Sequence, residues 1–336
     1  MERGGRSLMT DPTFVHPVEI VEWSRAVAEH RLGVGALFWS DRHTVVDPTE
    51  IRRAQRLGQP LAPYVALFAI EDGQPLAHVW VERREWRGSS RRETVCVITD
   101  VATRSDRLRN GYASALIREV HRRERENGRR LSFLWTHKTW GAHVAYEALG
   151  YRDVFSDPSA IREPRVRKST SREGYADRPG RKSDAGLLET LFDASTGGRW
   201  GFLPRSRGIL RLRFEMGWHK PRDYHILLFR GTPVGYFRAH VEGWHLFVNE
   251  ALVSGKVHLP ALLDAIESLG GGKWICLDST TFTHEAKDLL RERGFDVIPN
   301  SHRVLMAASL AGEARLDAVV RTCESGRYSS HNGDMF

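Results

Sequence analysis

The chain has 336 residues, 41% of them hydrophobic and 27% charged, with a formal net charge of +8 and a pI near 9.6. The length exceeds one typical domain and sets an expectation of two. The composition is that of an ordinary soluble globular protein, and the basic balance suits an anionic ligand or surface, although only seven of the 50 basic residues are Lys. Cys96, Cys276 and Cys323 lie far apart. They make neither a metal-ligand spacing nor a paired framework, so no metal site and a reducing, cytoplasmic setting are expected. The opening MERGGRSLMTDPTF has no apolar core of a secretory signal, and the longest apolar runs, such as YVALFAI, are too short to span a bilayer.

In chain order, residues 16–32 (HPVEIVEWSRAVAEHRL) show an apolar spacing of three to four and predict a helix. Residues 64–86 predict two strands around a tight Asp72-Gly73 turn. Residues 93–104 (ETVCVITDVATR) predict a third strand. A polar loop with Arg104, Arg107 and Arg109 follows, and then a helix whose stripe is Ala113, Leu116, Ile117 and Val120. His121 to Glu126 read as its solvated face, and Asn127-Gly128 as its stop. Residues 131–137 predict a strand, and 139–149 a short helix closed by Gly150.

Residues 157–182 are rich in Pro, Ser and Arg. They read as a linker with one edge strand near its start. Beyond it, LLETLF predicts a helix, and residues 224–253 a hairpin running into a third strand. LPALLDAIESLGGG, KWICLDST, HEAKDLLRERGF and HRVLMAASL then predict helix, strand, helix and strand. Both halves therefore run hairpin, strand, helix, strand, short helix ending in Gly-aromatic, strand. That order is a long-period internal repeat. The expected domains are 1–160, a linker at 161–182, a second domain at 183–312 and a frayed tail at 313–336.

A helix start attracts anions through its outward-facing N–H groups and partial positive charge. In RLRNGYASA, Gly111 and Ala113 allow close backbone approach, and the arginines can supply countercharge. On residues alone, an anion cradle and a plain surface loop both remain open.

The stretch Leu108-Arg109-Asn110-Gly111-Tyr112-Ala113 resembles the Gln/Arg-x-x-Gly-x-Gly/Ala motif of the GNAT N-acetyltransferases. Ala142, Tyr146, Gly150 and Tyr151 resemble that family's Ala-x-x-x-Tyr-x-x-x-Gly-aromatic block. Leu108 departs from the motif's first position, and Thr139 stands where the family carries Asn. The resemblance covers roughly residues 15–160. It implies an α/β (α+β) chain of two tandem GNAT-like domains, each a mixed, mostly antiparallel sheet flanked by helices.

The resemblance also implies acetyl-CoA as acyl-donor cosubstrate and an amine as acceptor; direct transfer between them is expected, because no cysteine sits in the motif region and Cys96 lies early in its strand. Val101, Ala102 and Thr103 would hold the pantetheine arm. Arg107, Arg109, Asn110, Gly111, Tyr112, Ala113 and Ser114 would hold the pyrophosphate, with Thr139 beside them. Tyr146 matches the position of the acid that protonates the leaving thiolate. Asp100 and Glu82, with His78 on Glu82's strand face, are candidate bases. The second half has Pro260 at its helix start and Leu290 at the Tyr position, so it resembles a degenerate copy. Glu250 there reads as a structural carboxylate or a contact to a substrate cation.

The ending Asp334-Met335-Phe336 resembles that of Eis-type tandem acetyltransferases, whose terminal carboxylate enters the active site. A monomer or homodimer is expected. The alternatives are a non-catalytic acyl-CoA sensor and a nucleic-acid-associated protein using the Arg-rich linker, the latter disfavoured because Tyr175 is the only aromatic residue there.

Overall fold

The structure is a computed structural model and describes residues 8–9, 18–22, 65–88, 92–156, 158–165, 173–197, 199, 205, 207–278, 285–299 and 301–324. The chain divides into two units, and each draws on separate stretches of sequence. Unit 1 takes 1–85, 93–154 and 305–319, and unit 2 takes 86–92, 155–304 and 320–336.

The sheet of unit 1 has eight strands. They are β1 (Leu8–Met9), β2 (Val18–Glu22), β3 (Val65–Glu71), β4 (Gln74–Arg87), β5 (Arg92–Thr103), β6 (Leu131–His137), β7 (Arg152–Ser156) and, from far down the chain, β15 (Arg303–Ser309). Their order is β1-β2-β3-β4-β5-β6-β15-β7. Asp72 and Gly73, with φ of 49° and 74°, make the tight β3–β4 turn, because that turn requires two consecutive left-handed residues. Residues 75–82 of β4 are all buried, as expected for a strand covered on both faces.

The helix expected over 16–32 is corrected within the described residues. Val18–Glu22 is a strand, with Glu19 opposite Ile70 and Glu22 opposite Leu67. Sheet pairing outweighs the weak helical period, and three of the five residues are β-branched. Residues 23–32 lie outside the described residues.

Helix α1 (Tyr112–Glu126) joins β5 to its parallel neighbour β6, and α2 (Gly141–Glu147) follows β6. Leu116, Ile117 and Val120 are buried as the stripe predicts, while Ala113 is half-buried. The supposedly solvated face is a second correction, because His121 and Glu124 are buried. Glu124 lies four residues beyond Val120, so it continues the stripe onto the sheet. Its carboxylate there accepts hydrogen bonds from Nε and Nη2 of Arg83, at 3.1 and 2.7 Å. His121 lies four residues beyond Ile117. Its Nε2 is 2.8 Å from the hydroxyl of Tyr151, which is also 2.6 Å from Ser132 Oγ on β6. Burial pushes the His121 imidazole down to about 4 and raises the Tyr151 phenol well above its ordinary value.

Unit 2 repeats the plan. Its strands are β8 (Ser159–Arg162), β9 (Tyr175–Pro179), β10 (Tyr224–Phe229), β11 (Thr232–Glu242), β12 (His245–Val253), β13 (Trp274–Leu277) and β14 (Asp296–Ile298). They run in the order β14-β8-β13-β12-β11-β10-β9. Alternation along the strands splits the core in two. Tyr224, Ile226, Tyr236 and Leu252 pack with Leu188 and Phe192 of α3 (Ala185–Thr196) and Leu210 and Phe214 of α4 (Ile209–Met216). Phe237, Leu246 and Val248 pack with Leu262 and Ile266 of α5 (Leu259–Gly270) and Leu290 of α6 (Lys287–Glu292).

The corresponding place in each sheet is filled by a strand from the other half of the sequence. In unit 1, β15 stands between β6 and β7; in unit 2, β8 stands between β13 and β14. So β8 is an interior strand of unit 2 rather than an edge strand in a linker. It is fastened by a buried ion pair from Arg162 to Glu267 at 2.8 Å. The sequence expected as a tail begins with α7 (Glu313–Glu324), whose Arg315 pairs with Glu93 in unit 1. Residues 325–336 lie outside the described residues. Among the described residues, no helix is long and apolar enough to cross a membrane.

Two outcomes follow. A fragment ending near residue 165 lacks β15 and leaves β6 and β7 with open edges. It is expected to be insoluble or to lose cooperative unfolding by circular dichroism; a soluble fragment with a sharp transition would contradict the exchange. The second concerns pH. His121 stays neutral in the fold down to about pH 4, whereas the unfolded chain takes up its proton near 6.5. The stability that depends on this residue is therefore complete above 6.5 and declines as pH falls toward 4. His121→Gln removes that dependence. The stability difference between parent and variant in urea unfolding should narrow between pH 7 and pH 4 by about 3 kcal/mol at most; a constant difference would contradict the buried neutral imidazole.

Candidate active site

The site begins where two parallel strands part. β5 and β6 pair from Cys96 opposite Ser132 to Ile98 opposite Leu134, and the paired register ends there. Two residues later, Asp100 has a φ of 30°, a left-handed conformation inside a strand, which a non-glycine residue adopts at a cost. Because the strands are parallel, their following loops leave from the same edge of the sheet, and a helix follows each loop.

The loop after β5 is shaped by two left-handed residues, Arg109 with φ 66° and Gly111 with φ 82°. Gly111 is the N-cap of α1, and no side chain caps that helix. The first intrahelical bond runs from the Ala115 amide to the Gly111 carbonyl at 2.9 Å. The amides of Tyr112, Ala113 and Ser114 are therefore aimed off the helix end, where the dipole favours an anion. The arginines divide by partner. Arg104 forks onto Asp106 at 2.6 and 2.9 Å, and Arg107 Nη2 lies 3.6 Å from Glu71. Arg109 and Asn110 are exposed. The ring of Tyr112 is buried and its hydroxyl lies 3.4 Å from Glu71, so its amide rather than its side chain belongs to the helix end.

Along β5, Asp100, Val101 and Thr103 are half-buried and Ala102 is buried. On β4, Glu82 is buried and pairs with Arg84 at 2.6 Å. His78 has no solvent exposure, and its ring lies 6.4 Å from that of Phe68. In the loop after β6, Thr139 Oγ1 is 2.7 Å from His137 Nδ1, and His137 stacks on Trp140. Tyr146, on α2, is half-buried with its ring edge-on to Tyr151 at 6.0 Å. Helix geometry thus puts the uncapped start of α1 and the phenol-bearing α2 after two adjacent parallel strands. The buried Tyr151–Ser132–His121 group was not singled out from the sequence. The signals available were the Gly-aromatic pair at Gly150-Tyr151 and the i+4 spacing of His121 from Ile117.

In unit 2 the corresponding places differ in residue type, and a proline removes one amide from the first turn of α5. The N-cap of α5 is His258, which shares a 2.9 Å hydrogen bond with Tyr175, and Pro260 stands in the first turn. Leu290 is fully buried in the core. Glu250 is buried, held by Arg205 at 2.8 Å and by the Tyr236 hydroxyl, so the structural reading of this carboxylate holds. Among the described residues, no group of acidic, histidine and cysteine side chains could hold a metal ion.

The acetyltransferase (GNAT) family model matches residues 33–151. No curated protein matches the sequence. Among solved structures, a probable N-acyltransferase from Enterococcus faecalis V583 is similar at 16% identity and a TM-score of 0.65, over 87% of this chain and 73% of that one. Eis1 from Mycobacterium abscessus is similar at 16% identity and a TM-score of 0.61, over 89% and 75%. A tandem GNAT protein from the clavulanic acid biosynthesis pathway is similar at 12% identity and a TM-score of 0.52, over 88% and 99%. Identities this low speak to the fold alone. Residues 33–151 thus match the GNAT family model, and the chain as a whole has the fold of tandem GNAT proteins.

Proposed function

We propose that unit 1 transfers an acetyl group from acetyl-CoA to a primary amine by direct attack, and that unit 2 has no acyl-transfer chemistry of its own. The observation that carries this reading is the parting of β5 and β6 directly beside a helix start with no side-chain cap. A slot between strands suits an extended pantetheine arm, and the amides from Tyr112 to Ser114, with Arg109 beside them, suit a pyrophosphate. The residues present fit acetyl-CoA, which when bound supplies an activated acyl carbon on a thiol leaving group.

The amine must be neutral to attack. Asp100 is the favoured base of the three candidates. It is half-buried at the point where the strands part, whereas Glu82 and His78 are buried on β4. As the amine nitrogen bonds to the acyl carbon and the carbon–sulfur bond breaks, Asp100 takes a proton from nitrogen. Tyr146 gives its phenolic proton to sulfur and recovers one from solvent. Cys96 takes no part as a nucleophile, because burial pushes its thiol up to about 12.

Acetyl-CoA consumption against amines, amino acids, polyamines, aminoglycosides and peptide lysines tests the reading. Turnover with at least one amine is expected; acetyl-CoA binding with no turnover anywhere on the panel would instead indicate a sensor. Calorimetry should give one acetyl-CoA site per chain. Gly111→Glu should abolish it, since a side chain at φ 82° strains the turn and its charge opposes the pyrophosphate; two sites per chain would refute the assignment to unit 1. Tyr146→Phe keeps the ring and removes the donor. Turnover should fall by roughly one hundred-fold, the scale of general acid catalysis, with acetyl-CoA affinity within a few-fold; a parent-like rate with chemistry rate-limiting would remove the acid role.

A further inference from the structure

We propose that Tyr151 is a positioning residue for Tyr146, and that its buried hydroxyl sets where the phenol of Tyr146 stands. This rests on the reading of Tyr146 as the acid. Tyr151 touches Tyr146 in two ways. Its amide donates to the Tyr146 carbonyl at 3.1 Å, closing the end of α2. Its ring meets the Tyr146 ring edge-on, with centroids 6.0 Å apart and planes at 64°, a favoured aromatic geometry.

A ring in contact fixes its neighbour only if it is itself fixed. The Tyr151 ring is held at its far end, because its hydroxyl meets Ser132 Oγ at 2.6 Å and His121 Nε2 at 2.8 Å. Ser132 stands on β6, in register with Cys96 of β5. His121 stands on α1, the helix whose start forms the proposed cradle. One buried hydroxyl thus joins the strand pair that forms the slot, the cradle helix and, through the ring, the acid on α2.

That connection matters because a pantetheine arm held extended between the strands, with its pyrophosphate at the start of α1, would carry its sulfur to a place set by that helix and those strands. The Tyr146 hydroxyl must be held relative to that same helix, and displacements of an ångström are costly to a reaction that depends on position. Burial keeps His121 neutral in the neutral pH range, so the imidazole can serve as acceptor to the phenol.

A double-mutant cycle on the full chain tests the proposal, with turnover, acetyl-CoA affinity and melting temperature measured for each variant. Tyr151→Phe keeps the ring but loses both anchors. Its kcat is expected to fall about tenfold or more with acetyl-CoA affinity unchanged within a few-fold. In the Tyr146→Phe background the same change should have no further effect on kcat, because the hydroxyl it positions is already gone. Losses that multiply in the double variant would show a general structural role and overturn the proposal. A parent-like Tyr151→Phe beside a slow Tyr146→Phe would overturn it while leaving the acid in place. A parent-like Tyr146→Phe would overturn the acid reading and this one with it. If Tyr151→Phe does not fold, Ser132→Ala removes one anchor and is carried through the same cycle with the same outcomes.

Discussion

The parallel pairing of β5 with β6 is the interaction on which unit 1 depends, both for what it holds and for where it ends. Up to Ile98 and Leu134 it is a fully buried ladder that carries the core. Beyond that pair, the left-handed Asp100 takes β5 off its course. A ladder that continued would leave no room for a ligand between the strands, and an antiparallel one would send the two loops to opposite edges. Parallel pairing that stops early puts a slot, a helix start and a phenol-bearing helix together without a long loop.

The slot must be kept open by something other than its own walls. The far side of β6 is held by β15, a strand some 170 residues away in sequence, and not by the strand that follows β7. The strand that does follow, β8, is committed to the other sheet, with Arg162 buried against Glu267. Each unit is therefore incomplete as a continuous stretch of chain. The second half of the sequence thus supplies the strand that supports β6, whatever residues stand at its own helix start.

Much of this was legible in the sequence, and the misses have physical causes. The Asp72-Gly73 turn, the strand at 131–137 and the helix stop at Asn127-Gly128 rest on local rules, and local rules are written in local residues. The loop glycine at 111 was legible for the same reason. The exchange was not, because SAIR and RVLMAAS state that they are strands without stating which sheet they join. Pairing partners are a property of the whole chain. Val18–Glu22 was misread because an apolar spacing of three to four and a β-branched strand overlap over five residues. The charge run from His121 to Glu126 reads as a solvated face because charge usually goes with exposure. The stripe in fact runs on to Glu124, with Arg83 waiting on the sheet.

That last miss bears on the site itself. A helix that only had to cover the sheet would carry apolar residues along its whole inner face. α1 instead carries Glu124 bonded to β4 and His121 bonded to Tyr151. Apolar contacts tolerate sliding, because their energy varies slowly with position, whereas a charge-assisted fork and a buried hydrogen bond tolerate little. Polar groups placed late in α1 therefore fix its rotation and its advance along the sheet. They do so about two to three turns away from the end where the uncapped amides face the loop. The precision needed at that end is supplied from inside the fold, which leaves the loop around Gly111 free of any side chain that would compete for the same amides.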